Sequence, residues 1–444
     1  MSGNQYTSFF EEVQDKYNCV IEGYHPSGLG TGCLRYRLIP KRIHQTCPHC
    51  GHNKTYINDY KHREIHGGTF NGVPVIYAIA QPRHECQKCF VTFVDEYKCL
   101  RWRHGVTEEA EHFILKMLGS MPMTLIADQL GLSVQTIANR ALEFAQDEKE
   151  VMINSHYRYL SMDEVFIGRE KDGSHKIYWV LNDNSVSWKS NNIMISIGRT
   201  KDDVIGYLKQ LKYGNEVKAI CIDMWKPYKD AIFEALPNAE VVIDRFHVMK
   251  NAEEIINAAR KNANCPKKIK DGMKKDCKLF LKYWMKLSED DMELLDYYLS
   301  WDKKLEAIYY QVQEFMDFYN QYNYDQALDY LCQWESKLLK SEVIEELRPL
   351  YDTVISWLPY IMNYFLFRIT NGRTEGKNNL LRMIDRMGFH YSQVCLQACF
   401  YSHDRNQELI KWRRHQRKQE RRLLLKDKTP VNIAVSDTGN SIAA

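Results

Sequence analysis

The sequence has no run of about 18 apolar residues. Its first residues, MSGNQYTSFFEEVQDKYN, lack a basic stretch leading into an apolar one. Neither a membrane-spanning helix nor secretion is therefore expected, and the cytoplasm is the expected compartment, with no membrane partner. An excess of one charge sign is also missing. The 60 Lys and Arg stand against 57 Asp and Glu, a net of +3, so only local clustering can point to a nucleic-acid partner. No internal repeat and no low-complexity tract occurs. With 444 residues, 44% hydrophobic and 26% charged, the composition excludes disordered and fibrous classes. At roughly 100–200 residues per domain the chain holds several globular domains.

What is present is cysteine. Thirteen residues is a heavy load for an oxidising compartment, and an odd count cannot pair off completely, so thiols and metal ligands are expected. Cys47-Pro-His-Cys50 and Cys86-Gln-Lys-Cys89 stand out. Each spacing lets two thiolates reach one ion at about 2.3 Å, and two such knuckles complete a tetrahedral site. A redox motif needs one pair in a βαβ setting, so two pairs favour structural zinc. His44, His49, His52 and His84 lie close enough in sequence to replace one thiolate. The surrounding residues 1–105, with short β-like runs such as VPVIYAIAQ, read as a small metal-stapled module of strands and turns. Cys395 and Cys399, one helical turn apart in an apolar helix, read as core.

Helical periodicity begins near 106 and runs to 150. The segment MTLIADQLGLSVQTIANRALEFA has the layout of a helix-turn-helix. Leu125, Ile126 and Leu130 give an apolar face, Gly131 permits the turn, Ser133 caps the next helix and Ile137 packs back. The second helix then presents Gln135, Thr136, Asn139 and Arg140 outward, side chains suited to phosphates and base edges. An ordinary helical hairpin has the same spacing.

Between 155 and 250 the strings YRYLSMDEVF, KIYWVLND and NIMISIGRT read as three strands. DDVIGYLKQL follows as a helix, VKAICID as a buried strand, YKDAIFEALP as a helix and AEVVIDRF as a strand. This order is that of a ribonuclease H-like α/β sheet. Residues 251–365 are almost wholly helical, and 366–410 return to the α/β unit. The tail, 411–444, opens as the basic run KWRRHQRKQERRLLLK and ends in a polar stretch expected to be disordered. The fold class is thus multidomain α/β.

Asp163 falls in the first strand of the α/β unit and Asp223 at the end of the fourth, neighbours in such a sheet. Carboxylates brought together repel unless cations lie between them, and Mg²⁺ suits the role because it keeps waters and accepts substrate phosphate. Two solvated strand ends are the alternative. Glu375 opens a helix on which Asn378, Asn379, Arg382 and Arg386 share its face by 3–4 spacing, a set suited to a phosphate backbone. A solvent-exposed polar face has the same pattern. Asp244 and His247, in DRFH, form a further pair in which the histidine either serves a phosphate or is structural.

At these residues the sequence resembles a bacterial insertion-sequence transposase of the DDE class, the ISL-three family. The resemblance runs in order through a zinc ribbon, a helix-turn-helix, SMDEVF, DMWKPYKDAIFEALPNAEVVIDRFHVMK and TNGRTEGKNNLLRMIDRMGF. It implies a ribonuclease H-like catalytic domain whose Asp163, Asp223 and Glu375 form the DDE triad and hold two Mg²⁺ or Mn²⁺ ions. The interval of 152 positions from Asp223 to Glu375 fits a helical insertion. Asp244 and His247 are similar to the C/D-x-x-H signature of such transposases, which makes His247 a catalytic candidate. Glu164 is set aside in favour of Asp163 because strand alternation points it to the other face. The family further implies cleavage and strand transfer at terminal inverted repeats of double-stranded DNA, a dimer or higher assembly on DNA, and a nucleoid-associated bacterial protein. A non-catalytic zinc and helix-turn-helix regulator, or a ribonuclease H-like nuclease, would share the modules.

Overall fold

The computed structural model describes residues 19–26, 32–70, 72–95, 100–101, 105–169, 175–185, 192–198 and 200–426. The polar stretch beyond 426 lies outside them. Seven strands form the N-terminal sheet: β1 (Cys19–Pro26), β2 (Leu34–Pro40), β3 (Thr55–Phe70), β4 (Val73–Cys86), β5 (Thr92–Val94), β6 (Leu100–Arg101) and β7 (Val106–Thr107). Their order is β1-β2-β4-β3-β7-β6, with β5 on β4. The expected short runs are instead one long antiparallel hairpin, β3 and β4 spanning 16 and 14 residues. Residues 56–62 of β3 are exposed without alternation, so the period-2 signal of a half-buried strand is absent there. Parallel pairing of β2 to β4 ends at Leu38 opposite Ile79. Beyond it the hairpin continues as an arm with β5 near its tip. Tyr36, Leu38, Ile65, Tyr77 and Ile79 are buried.

Three helices follow: α1 (Glu108–Met117), α2 (Met123–Leu130) and α3 (Val134–Ile153). Thr107 caps α1, and Gly131, at φ 64°, closes α2 in the left-handed conformation that glycine adopts without strain. Ser133 Oγ accepts the Thr136 N–H at 3.1 Å and starts α3. Ile126, Leu130 and Ile137 are fully buried as expected, but Leu125 is 44% exposed and Met123 takes the inward place. The turn docks on the N-terminal sheet, where His66 Nδ1 lies 3.0 Å from the Leu130 carbonyl oxygen.

The second sheet contains β8 (Tyr159–Arg169), β9 (His175–Asp183), β10 (Asn192–Ile197), β11 (Ala219–Ile222) and β12 (Glu240–Ile243), with α4 (Lys201–Leu208) and α5 (Lys226–Ala235) in the connections. Its order is β10-β9-β8-β11-β12. The first three strands pair antiparallel, whereas β8/β11 and β11/β12 pair parallel. Alternation along β8 splits the core. Leu160 and Met162 pack with residues of α4 and α5, while Val165 and Ile167 pack with those of the helix-turn-helix and the C-terminal helices.

Seven helices come next: α6 (Arg245–Asn262), α7 (Lys267–Lys275), α8 (Cys277–Leu281), α9 (Glu289–Leu299), α10 (Lys303–Phe318), α11 (Tyr324–Leu338) and α12 (Ile344–Phe367). Buried Phe315, Phe318 and Trp334 anchor them. Helix α12 covers edge strand β12, with Asn363 Nδ2 donating to the Val241 carbonyl at 2.8 Å. The chain returns through α13 (Gly372–Met387) and ends in the 34-residue α14 (Gln393–Lys426), of which the expected basic tail run is the continuation.

Helix α14 ties several parts together. Ser402 donates to Leu115 of α1, and Asn406 Nδ2 donates to the Lys116 carbonyl at 2.6 Å. Arg405 pairs with Glu148 of α3 at 3.1 Å. Tyr401 donates to Ile193 of β10, and Asp404 pairs with Lys377 of α13. The Gly119 turn lies so close to α14 that a Cβ there would sit 2.2 Å from the Cys399 carbonyl oxygen.

Candidate functional site

The first donor set lies at the arm's tip. Cys47 Sγ is 3.7 Å from Cys89 Sγ, Cys50 Sγ is 3.6 Å from Cys86 Sγ, and all four sulfurs lie within 4.8 Å of one another. A tetrahedron with 2.3 Å arms has edges of about 3.8 Å, so the spacing fits zinc without rearrangement. The two knuckles are built alike. The N–H of Gly51 bonds the Cys47 carbonyl at 2.9 Å and that of Phe90 the Cys86 carbonyl at 3.0 Å. Gly51 and Phe90 both have positive φ, 70° and 57°. Backbone N–H groups of Cys89 and Lys88 lower the Cys86 thiol to about 6. At Cys89 the Val91 N–H is outweighed by burial and the neighbouring sulfurs, which push that thiol up to about 12. Crowded sulfurs thus share charge poorly without a cation among them.

Sequence reading missed Asp95. Fully buried, its carboxylate accepts the N–H groups of Ile43 at 2.7 Å and His44 at 3.2 Å, and meets His44 Nδ1 at 2.7 Å. It thereby clasps the segment leading into the first knuckle. No spacing rule finds a lone acid that bonds backbone some fifty residues away.

The second donor set lies where strand ends of the second sheet meet α6 and α13. Because β8 pairs directly with β11, Asp163 and Asp223 come together as expected. The third ligand atom within 4.8 Å is His247. Its Nδ1 is 2.8 Å from Asp223 Oδ1 and 3.4 Å from Asp244 Oδ2. Asp244 is at the N-cap position of α6 without a side-chain cap bond, which leaves its carboxylate for these contacts.

Electrostatics mark the cluster. Burial and the nearby Asp223 push the Asp163 carboxyl up to about 7. Burial opposes charge on His247, but its bonds to Asp223 and Asp244 prevail and raise it to about 10. The two carboxylates repel each other, and His247 supplies against Asp223 and Asp244 the kind of positive charge that a divalent cation would supply between Asp163 and Asp223.

Glu375, exposed on α13, lines the same cavity of about 290 Å³ but stands outside the tight cluster. Its helix contributes Asn378 more directly. That residue is 2% exposed, and its Nδ2 donates to Asp163 Oδ2 at 2.8 Å. Asn371, just before α13, was not singled out. Its Nδ2 donates to the Met162 carbonyl at 3.0 Å and reaches Asp223 Oδ1 at 3.5 Å, and its N–H bonds Asp244 Oδ1 at 3.2 Å. It thereby ties β8 to the residues that follow β11 and β12. The only sequence signal was its place before a glycine at a helix start.

Glu164 points away from Asp163, as alternation requires, and accepts the Tyr228 hydroxyl of α5 at 2.7 Å. Both nonetheless border the cavity. Arg382 also borders it and donates to Asn379 Oδ1 at 2.9 Å, while Asn379 and Arg386 are exposed.

On α3, Gln135 and Asn139 face solvent, bonded to each other at 2.8 Å, and Thr136 is half-buried. Arg140 corrects the expectation of an outward side chain. It is 7% exposed and pairs with Glu111 of α1 and with Glu143. It follows Ile137 by three positions and so shares the buried stripe with Ala141 and Phe144. Among the described residues no helix is long and apolar enough to cross a membrane.

Comparison with known proteins bears on the acidic site and on the helix-turn-helix. Residues 160–399 match a family model described as a transposase of the ISL3 type, and residues 99–145 match the helix-turn-helix domain of transposase family ISL3. The transposase for insertion sequence element IS1001 of Bordetella parapertussis is 25% identical over 236 residues. The match covers 51% of this chain and 55% of that protein, so the chain spans about half the length of this curated relative. The Drosophila P element transposase strand transfer complex aligns with 67% of this chain and 91% of that chain, at 12% identity and a TM-score of 0.38.

Proposed function

Because the chain belongs to the ISL3 transposase family, we propose that it carries out DNA transposition, binding the terminal inverted repeats of an insertion sequence and catalysing metal-dependent cleavage and strand transfer. The observation that carries this reading is the meeting of Asp163 within β8, Asp223 just past β11 and His247 in α6 within 4.8 Å, in a cavity that Glu375 also lines.

In this reading the second sheet is ribonuclease H-like. The catalytic unit comprises 155–250 and 366–410, interrupted by the helical insertion 251–365. The zinc-ribbon module occupies 1–105 and the helix-turn-helix 106–150. Asp163, Asp223 and Glu375 would hold two Mg²⁺ or Mn²⁺ ions, which when bound would supply Lewis-acid stabilisation of phosphate charge. Asn378 and Asn371 orient the Asp163 and Asp223 carboxylates. His247 neutralises Asp223 and Asp244 from one side. Arg382, Arg386 and Asn379 offer donors to the scissile strand's phosphates, and Gln135, Thr136 and Asn139 read bases. Pairing of two element ends calls for a dimer or higher assembly, and the protein acts on the nucleoid.

The test is end cleavage and joining by purified protein with Mg²⁺ on DNA carrying the repeats that flank its gene. Asp223→Asn retains folding and end binding but loses cleavage by about 1000-fold, ~4 kcal/mol at the transition state. Retained cleavage in that variant overturns the assignment of Asp223. Specific binding by wild type without any cleavage favours a non-catalytic regulator, and cutting without joining favours a nuclease.

A further inference from the structure

We infer that the open face of the N-terminal sheet, across β2, β4 and β3, is a separate DNA contact, a groove for the phosphodiester backbone between the cysteine cluster and the helix-turn-helix. The inference rests on the proposed DNA-binding role and deepens it. Charge is the first observation. Residues 32–95 carry nine Lys and Arg against four Asp and Glu, a net of +5, whereas the whole chain carries +3. This sheet is thus one basic region of a nearly neutral chain, the other being the run 411–426 with eight Lys and Arg against one Glu.

Shape is the second. In register across the sheet, Arg37 lies opposite Ala78 and Arg35 opposite Ile76, while His62 lies opposite Ala80 and Glu64 opposite Ala78. These positions share one face. Two alanines thus floor a groove of about 360 Å³ with arginines along one wall and His62 along the other. Glu64 offsets part of the charge by pairing with Arg35 at 3.1 Å. A low floor beside a wall of arginines admits a phosphate backbone rather than a bulky apolar ligand.

Placement is the third. His66, which meets the Leu130 carbonyl, pairs with Ile76 and so belongs to the same face. The helix-turn-helix turn therefore sits on the groove's own side. From Ile76 to Cys86 the strand runs ten residues, about 33 Å at the usual rise. That is close to one turn of B-DNA, about 34–36 Å. A duplex read by the N-terminal end of α3 would lay its backbone along Arg37 and His62 and meet the cysteine-bearing tip one turn away.

The experiment uses the full zinc-loaded chain, a duplex of the terminal repeat flanking its gene, and a shuffled duplex of equal length. Binding is measured across a salt series, with hydroxyl-radical footprinting. Arg37→Gln lowers the slope of log affinity against log salt by about 0.9, and Arg35→Gln with Arg37→Gln by nearly twice that, equally on both duplexes. Arg37→Lys restores the slope. The footprint loses backbone protection between two segments that stay protected about one turn apart. Unchanged slope and footprint in folded Arg37→Gln protein, while Asn139→Ala loses preference for the repeat, overturns the groove alone. Wild-type protein that does not prefer the repeat to the shuffled duplex overturns the proposed function and the groove with it.

Discussion

The cysteine cluster and the acidic cluster solve the same problem, bringing metal donors within a few ångströms, by opposite routes. The thiolates come from two short knuckles at one end of a single hairpin, each with its own turn and its own N–H bonds. The acidic set draws on β8, β11, α6 and α13, across 212 residues from Asp163 to Glu375. Its donors are held by side-chain bonds from Asn371, Asn378 and His247 as well as by the sheet. A site of the first kind depends on its ion to exist. One of the second kind is shaped by the fold before an ion arrives.

The largest effect should come from the first site. Cys86→Ser, or a strong chelator, takes from the cluster the zinc it would hold, and such an ion contributes about 10 kcal/mol or more in small zinc modules. The arm should lose order, seen as lost zinc in elemental analysis and rapid amide exchange over β3 and β4. Removing divalent ions from the acidic site should leave exchange over β8 and β11 unchanged. Equal loss of protection at both sites would break the contrast.

A smaller effect tests the preformed character of the acidic site. Asn378→Ala should weaken Mn²⁺ binding by about 10–100-fold, the usual cost of removing a group that orients a metal ligand. Calorimetry on folded protein reads it. Unchanged affinity would mean that the sheet alone positions Asp163.

The smallest effect sharpens the contrast from the other side, because the zinc tip also has one long-range clasp. Asp95→Asn should cost about 1–2 kcal/mol through the loss of charge-assisted bonds. Burial raises the Asp95 carboxyl, but the N–H donors of Ile43 and His44 outweigh it and hold it below the ordinary range. The stabilisation is therefore present above the unfolded carboxylate pKa, about 3.9, and is lost as pH falls through the lower folded value. Melting temperatures of wild type and variant should converge in acid and diverge at neutral pH.

What was legible in the sequence follows the same division. The C-x-x-C pairs and the helix-turn-helix turn at Gly131 and Ser133 are local patterns, and the structure places them as the patterns imply. The strand order of the second sheet was readable because each buried strand is an apolar run between turn signals, and that order brought Asp163 to Asp223. Asn371, Asp95 and the inward role of Asn378 act through tertiary bonds that no period encodes. Arg140 was misplaced because an arginine on a recognition-type helix suggests phosphate, although its spacing from Ile137 put it in the buried stripe. The long arm was misread as short runs because the outer half of β3 is exposed on both faces, although Gln81, His84 and Cys86 of β4 are buried.

The close seat of the Gly119 turn on α14 has a mechanical consequence. The same helix braces α1, β10 and, through the Asp404 pair with Lys377, the helix that carries Glu375. In the proposed function, reading head and cutting site thus form a caliper with one setting, and the distance along DNA from the bases read to the bond cut is built into the protein. A bulkier residue at Gly119 would pry the jaws apart, so the cleavage position would shift or blur while base preference stayed the same.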